Sequence, residues 1–289
     1  MKKVYQVIVV CISLSLLIFF LSKKYITDST VNPLNSCKTA QLISELYKSL
    51  GPRIGSHLVE SNVVLTLAGL RGYAGFVMHD LTDSEAQDIE KVNEKTERLG
   101  IRFVLERDTE NEISYIIIYN LKGFEYTFRM SKLPFVKPFD WASGFNGIDI
   151  WLDNIRNSAE KYFDIKPEAK LSIEALDSLM SGLMFGYPDQ ALLDSYNILS
   201  AGKNYSVLVL SNIPYADYYE SAQPNFAYLP EHENEESIVK IKKSWGDFLK
   251  EFYNTSWHKV FAKDPYFKQI RALEEKAHQE WFNKQILKS

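Results

Sequence analysis

An uncharged stretch near the N-terminus constrains this chain more than any other feature of its sequence. Residues 4–22 read VYQVIVVCISLSLLIFFLS, which is 19 residues without a charged side chain between two pairs of lysines. A helix of that length rises about 28 Å, close to the thickness of the hydrocarbon core of a bilayer. A helix also pairs its own backbone groups, as a segment in hydrocarbon must. The stretch therefore predicts a transmembrane helix, with residues 1–24 as a membrane anchor.

Three other interpretations of this segment stay open. A cleaved secretory signal is disfavoured because the apolar run is long and no small-x-small cleavage site follows it. A lipoprotein signal would use the tetrapeptide that ends at Cys37, but Lys23, Lys24 and Asp28 separate that tetrapeptide from the apolar run. A buried core helix would not carry lysines at both borders. The positive charge of the free α-amino group favours a cytoplasmic N-terminus, which predicts a single-pass protein with its soluble domain outside the cytoplasm.

The charge of the rest of the chain bears on its partners. Four of the 33 basic side chains lie in residues 1–24, which hold no acid, so residues 25–289 carry 29 basic and 37 acidic side chains. This net charge of −8 repels a polyanion, and no nucleic-acid partner is expected. Cys11 lies in the apolar stretch and Cys37 just after it, so the soluble part can form neither an internal disulfide nor a cysteine-rich zinc site.

The remaining sequence predicts an α+β fold. Residues 25–36 are polar and indicate a tether, and residues 37–289 form a soluble domain. We expect a small, mostly antiparallel sheet in its N-terminal half and a helix-dominated C-terminal half. Residues 131–150 contain two prolines, two glycines and four bulky aromatics, which indicates a packed connector and a possible subdomain boundary.

The strands and helices are predicted from the spacing of apolar residues along the chain and from residues that cap helices. Short apolar or β-branched runs predict strands at Val63–Ala68, Gly75–Met78, Ile101–Glu106, Ile113–Tyr119, Phe124–Met130 and Lys203–Ser211. Helical spacing predicts helices at 37–50, 82–99, 150–163, 172–186, 188–201, 238–252 and 265–281. The first helix should stop at Gly51-Pro52, and Thr82-Asp83-Ser84 should cap the second.

Imidazole and carboxylate groups occur together at two places in the N-terminal half. His57-x-x-Glu60 and His79-Asp80 each have the composition of a general base oriented by an acid. Adjacent residues on a strand point to opposite faces, which weakens the second pairing.

Three other motifs give weaker evidence of a functional site. Gly69, Gly72 and Gly75 have a glycine-rich spacing, but a strand is predicted after them, so a tight turn is favoured over a phosphate cradle. Glu275-x-x-His278 would be half of a di-iron site that has no second Glu-x-x-His. The acidic run 231–236 is interpreted as a solvated turn before a helix, so no metal or cofactor is expected.

A proline-stiffened aromatic segment, residues 213–230, is the most distinctive feature of the soluble domain. Its rings are Tyr215, Tyr218, Tyr219, Phe226 and Tyr228, with prolines at 214, 224 and 230. Rigid aromatic side chains bind rings and partner proteins at low entropic cost. The segment therefore predicts a binding loop for a protein or a small molecule. The alternative is that these rings are buried over the helices.

The sequence is compatible with two functions for the soluble domain. The first is a binding or interaction module held at a membrane, without enzymatic activity. The alternative is a cell-envelope hydrolase that uses His57 or His79 with a carboxylate. A cleft that gathers these groups would favour the enzyme.

Overall fold

The N-terminal half contains a three-stranded sheet, and helices make up most of the rest. The computed structural model describes residues 32–110, 113–166, 168–203, 205–216 and 224–286. The strands are β1 (Tyr73–His79), β2 (Ile101–Asp108) and β3 (Ile113–Asn120), in the order β1-β3-β2. Both pairings are antiparallel. The described residues therefore have the predicted α+β fold with a small antiparallel sheet.

Helices precede, connect and follow these strands. Those of the N-terminal half are α1 (Ser36–His57), α2 (Ser61–Ala68), α3 (Asp83–Thr96) and α4 (Leu121–Met130). Those of the C-terminal half are α5 (Gly147–Tyr162), α6 (Lys170–Met184), α7 (Asp189–Ser200), α8 (Glu236–Tyr253), α9 (Ser256–Phe261) and α10 (Pro265–Ile286). Two short strands, β4 (Val209–Leu210) and β5 (Ala227–Tyr228), pair antiparallel.

Local signals place several elements where the sequence predicts them. Thr82 caps α3 in a capping box with Glu85. Gly100 has a φ of 78° and follows the 3-10 turn that ends this helix. Gly51 has a φ of 75° and interrupts α1 immediately before Pro52. The capping of α3 by Thr82, its end before Gly100 and the β2–β3 hairpin are confirmed, whereas α1 is interrupted at Gly51 but continues from Pro52 to His57.

The prediction of a strand at Val63–Ala68 is wrong, because these residues lie in helix α2. All residues from Ser61 to Ala68 are buried, so the run is apolar on every side and shows no helical period. A short apolar run does not distinguish a buried helix from a buried strand. Gly69, with a left-handed φ of 81°, ends the helix, and its N–H donates to the carbonyls of Leu65 and Thr66.

The prediction of a strand at Phe124–Met130 is also wrong, because this segment belongs to α4. The side chain of Asn120 caps the helix by accepting from the Lys122 N–H. The Asn120 Nδ2 also donates to the Thr66 carbonyl at 2.7 Å. Leu121 and Phe124 are buried with helical spacing, which the aromatic and β-branched composition of the segment obscures.

The buried strand predicted at Lys203–Ser211 is reduced to the two residues of β4. Both are exposed, and Leu210 keeps 70% of its surface. The prediction of burial is therefore wrong for this run.

Residues 33–289 form one compact unit with two hydrophobic clusters. The first cluster joins α1, α2, α3, the three-stranded sheet and α8. The second joins α4, the connector after it, and helices α5, α6 and α7. The connector contributes Leu133, Phe135, Val136 and Phe139. Tyr187, between α6 and α7, packs against both clusters.

The segment predicted to cross the membrane, residues 4–22, lies outside the described residues. Within the described ranges, no helix has the length and apolar composition needed to span a bilayer.

Candidate functional site

A cleft of about 530 Å³ opens on one face of the three-stranded sheet and extends around its edge strand, β1, where Phe76 and His57 also line it. Alternate residues of a strand point to opposite faces, and Ala74, Phe76 and Met78 of β1 belong to the first cluster. Tyr73, Gly75 and Val77 lie between them and line the cleft, together with Tyr115 and Ile117 of β3. We call this space the sheet-face cleft.

Arg71, which lies two residues before β1, is one of the residues that line the cleft. Gly69 ends α2, and helix α4 lies directly on the backbone that follows, because Gly123 has no side chain. A Cβ on Gly123 would stand 1.8 Å from the Arg71 carbonyl oxygen. This close contact fixes the backbone of Arg71. Its side chain is 2% exposed and lines the inner part of the cleft.

The guanidinium of Arg71 lies among aromatic rings instead of carboxylates. Its Cζ is 5.2 Å from the ring centre of Phe185, 5.9 Å from that of Tyr187 and 5.3 Å from that of Trp245. Phe185 and Tyr187 come from the corner between α6 and α7 and line the same cleft. Cation–π contacts of this kind offset part of the cost of burying the charge.

The hydrogen bonds of Arg71 are incomplete. Its Nε donates to the Phe185 carbonyl at 2.8 Å. Neither its buried Nη1 nor the buried indole Nε1 of Trp245 has a hydrogen-bond partner among the described residues. Among the described residues, no carboxylate forms an ion pair with Arg71. Burial lowers the pKa of Arg71 to about 10, while the nearby Tyr187 phenol acts in the opposite direction, so the side chain is charged at neutral pH.

His57 and Glu60 form the imidazole–carboxylate pair that the sequence predicts. The His57 Nδ1 lies 2.6 Å from the Glu60 Oε1, and the carboxylate is buried. The imidazole stacks on Phe76 at 4.6 Å, and His57 lines the cleft. Its Nε2 is buried and has no hydrogen-bond partner in the described part of the chain. The pair therefore has the geometry of a base held by an acid.

His79 is not part of this arrangement. It lies at the end of β1, packs against Trp281 at 5.8 Å between ring centres, and does not line the cleft. The structure thus brings His57 and a carboxylate together but leaves His79 elsewhere. The side chains of Glu275 and His278 lie outside those described.

The aromatic segment 213–230 is split between the core and the surface. Phe226 and Tyr228 are 1% and 2% exposed and belong to the first cluster, so their rings contribute packing. Tyr215 is 55% exposed and lies 5.5 Å from the Lys250 Nζ. Tyr218 and Tyr219 lie outside the described residues. A binding role for Tyr215, Tyr218 and Tyr219 stays a prediction.

The acidic run after this segment makes structural contacts. Glu235 caps α8 by accepting from the Ser237 N–H, and Glu236 lies 3.7 Å from Lys132. His232 contacts the buried Asp194 at 2.9 Å, and Asp194 also accepts from the Leu229 N–H. Within the described part of the chain, no group of three or more His, Cys, Asp or Glu side chains is arranged to hold a metal ion.

Sequence reasoning missed Arg71, the charged residue at the inner end of the cleft. Arg71 is the only charged side chain in residues 61–78, an otherwise apolar stretch. A single arginine in a segment predicted to be buried, without a nearby acid, is the signal that would have identified it.

Comparison of the chain with models of protein families, with curated proteins and with solved structures gives no match.

Proposed function

We propose that the soluble domain is a binding module whose sheet-face cleft takes a small ligand with an anionic group and an apolar, ring-sized body. The observation that carries this proposal is the buried guanidinium of Arg71, which forms no ion pair with a carboxylate of the described residues. Carboxylates and phosphates match the planar fork of an arginine. The aromatic lining provided by Tyr73, Phe185 and Tyr187 suits the body of such a ligand.

Energetics support this assignment. A buried charge without a counter-ion costs several kcal/mol, whereas a desolvated cation–π contact returns about 2 kcal/mol. An anionic group at the inner end of the cleft would supply the acceptor that Nη1 lacks. Binding energy is therefore concentrated on one charged group, with the rings adding contact area.

A matched pair of probes tests the proposal. We expect 3-phenylpropionate to bind the full chain in detergent micelles at least tenfold more tightly than its uncharged amide, as measured by calorimetry. At 100 times its Kd the carboxylate should raise the free energy of unfolding by about 2.7 kcal/mol. Equal affinities for the two probes, or no binding of either, would show that the cleft does not select an anion.

Hydrolysis is the second candidate, and the His57–Glu60 pair favours it. No hydroxyl or thiol of the described residues forms a hydrogen bond with the His57 Nε2, so the nucleophile in such an enzyme would be water. The methyl ester of the same probe separates the candidates. Cleavage by the wild type that His57→Gln abolishes would support the enzyme, and an uncleaved ester would support binding alone.

We also propose that residues 4–22 hold this domain at a membrane in a single pass, with the domain outside the cytoplasm. The uncharged stretch and its flanking lysines support this anchor. We expect the full chain to stay with membranes after alkaline carbonate washing, and protease added to intact cells to digest the soluble domain. Release by carbonate would contradict the anchor, and protection from protease would contradict the orientation.

A further inference from the structure

The sheet-face cleft carries opposite charges at its two ends. Arg71 precedes β1, whereas Glu106 of β2 lies opposite Tyr115 of β3, which in turn lies opposite Val77 near the far end of β1. Both charged residues line the cleft. Because a strand rises about 3.3 Å per residue, Tyr73 and Val77 are roughly 13 Å apart along the floor.

The carboxylate of Glu106 is available to a ligand. It is exposed and forms no ion pair with the described residues, because the neighbouring arginines are paired elsewhere. Arg102 donates to Glu97 at 2.7 Å, and Arg107 donates to Asp83 at 3.0 Å. Burial raises the pKa of the Tyr73 phenol and the charge of Glu106 raises it further, so the field of Glu106 reaches the cleft floor.

The floor between these two charges is mostly apolar. Tyr73, Ile117 and Tyr115 lie along it, and the Tyr73 hydroxyl lies over Gly75, 3.7 Å from the position of an added Cβ. A ligand that satisfies all three regions has an anionic end, an apolar middle and a cationic end. A peptide of about three residues with free termini has this pattern, because an extended chain spans about 3.3–3.6 Å per residue.

We propose that the sheet-face cleft binds short peptides with free termini, with the terminal carboxylate at Arg71 and the terminal ammonium at Glu106. This inference rests on the proposed anion-binding function, and it adds the class and the orientation of the ligand. The aromatic rings that line the cleft, those of Tyr73, Phe185 and Tyr187, would contact an apolar side chain at the central position of the peptide.

The tripeptide Ala-Phe-Ala and its two blocked forms test the inference by calorimetry on the full chain in micelles. We expect N-acetylation to weaken binding about tenfold and C-amidation to weaken it more. Glu106→Gln should weaken binding of the free peptide about tenfold and leave the affinity for the N-acetylated form unchanged. Glu110→Gln is the matched control, because Glu110 is exposed in the same hairpin but does not line the cleft.

The possible results separate this inference from the function on which it rests. If the N-acetylated peptide binds as tightly as the free one, or Glu106→Gln behaves like Glu110→Gln, the peptide assignment is wrong while anion binding stands. The same holds if 3-phenylpropionate binds and no peptide does. If the C-amidated peptide binds as tightly as the free acid, the peptide assignment is wrong, and if 3-phenylpropionate also binds no more tightly than its amide, both proposals fail.

Discussion

Arg71→Met should weaken binding of 3-phenylpropionate about 100-fold while leaving the unliganded protein more stable. Hydrogen bonds to a charged group contribute about 1.5–3 kcal/mol each, and the variant loses those that a carboxylate makes with the guanidinium. Removal of a buried charge that has no counter-ion stabilises the folded protein by several kcal/mol, because the cost of desolvating the charge is no longer incurred. The loss of cation–π contacts and of the bond to the Phe185 carbonyl offsets part of this gain. We therefore expect the free energy of unfolding in urea to rise by about 1 kcal/mol.

Two further variants control this experiment. Arg98→Met removes the same charge from an exposed position on the 3-10 turn after α3, and we expect it to change neither binding nor stability. Arg71→Lys keeps the charge without the planar fork and should retain part of the affinity. A large loss of stability in Arg71→Met with normal binding would mean that the guanidinium only supports the fold.

Gly123→Ala should destabilise the protein by about 3 kcal/mol or more. Alanine in a helix is ordinarily favoured over glycine by about 1 kcal/mol, so the expected sign is the reverse of the usual one. The added Cβ would lie 1.8 Å from the carbonyl oxygen of Arg71 and 2.6 Å from the amide nitrogen of Gly72. Backbone atoms at these distances cannot rotate away. Helix α4 must therefore shift from β1, and we expect carboxylate binding to weaken with it.

Gly51→Ala provides the comparison, with urea unfolding as the measurement for both variants. Gly51 has a φ of 75°, and no atom of the described residues lies within 4 Å of an added Cβ, so this variant carries backbone strain without a clash. Its ψ of 174° places it in a region that is essentially restricted to glycine, and we expect a loss of about 2 kcal/mol. If Gly123→Ala lost no more stability than Gly51→Ala, α4 would not lie against the Arg71 backbone as described.

The elements that the sequence predicts correctly carry their signals locally. The capping box at Thr82 and Glu85, the glycine at 100 and the alternating strands of the β2–β3 hairpin each involve residues close together in the chain. Helices α2 and α4 lack such an unambiguous local signal. Residues of α2 are buried on all sides, and α4 combines helical spacing with a composition typical of strands.

The candidate site also combines a contact with a local signal in the sequence and contacts without one. His57 and Glu60 are three residues apart, so their pairing is visible in the sequence, and the structure confirms the contact. The environment of Arg71 depends on Phe185, which is 114 positions away in the chain. Hydrophobic period cannot indicate which rings will surround a buried charge, because that depends on how helices pack. Phe226 and Tyr228 illustrate the same limit. The sequence shows that they are aromatic residues in a proline-rich segment, but it does not indicate whether their rings face solvent or the core.

Tyr187, which packs against both hydrophobic clusters, has a consequence for truncated forms of this protein. The floor of the sheet-face cleft comes from residues before 120, whereas the wall that holds Arg71 comes from the corner at 185–187. A fragment cut within the connector at 131–150 would keep the strands and lose that wall. Ligand recognition would then require the two halves of the chain to be assembled, even where one half retained its secondary structure.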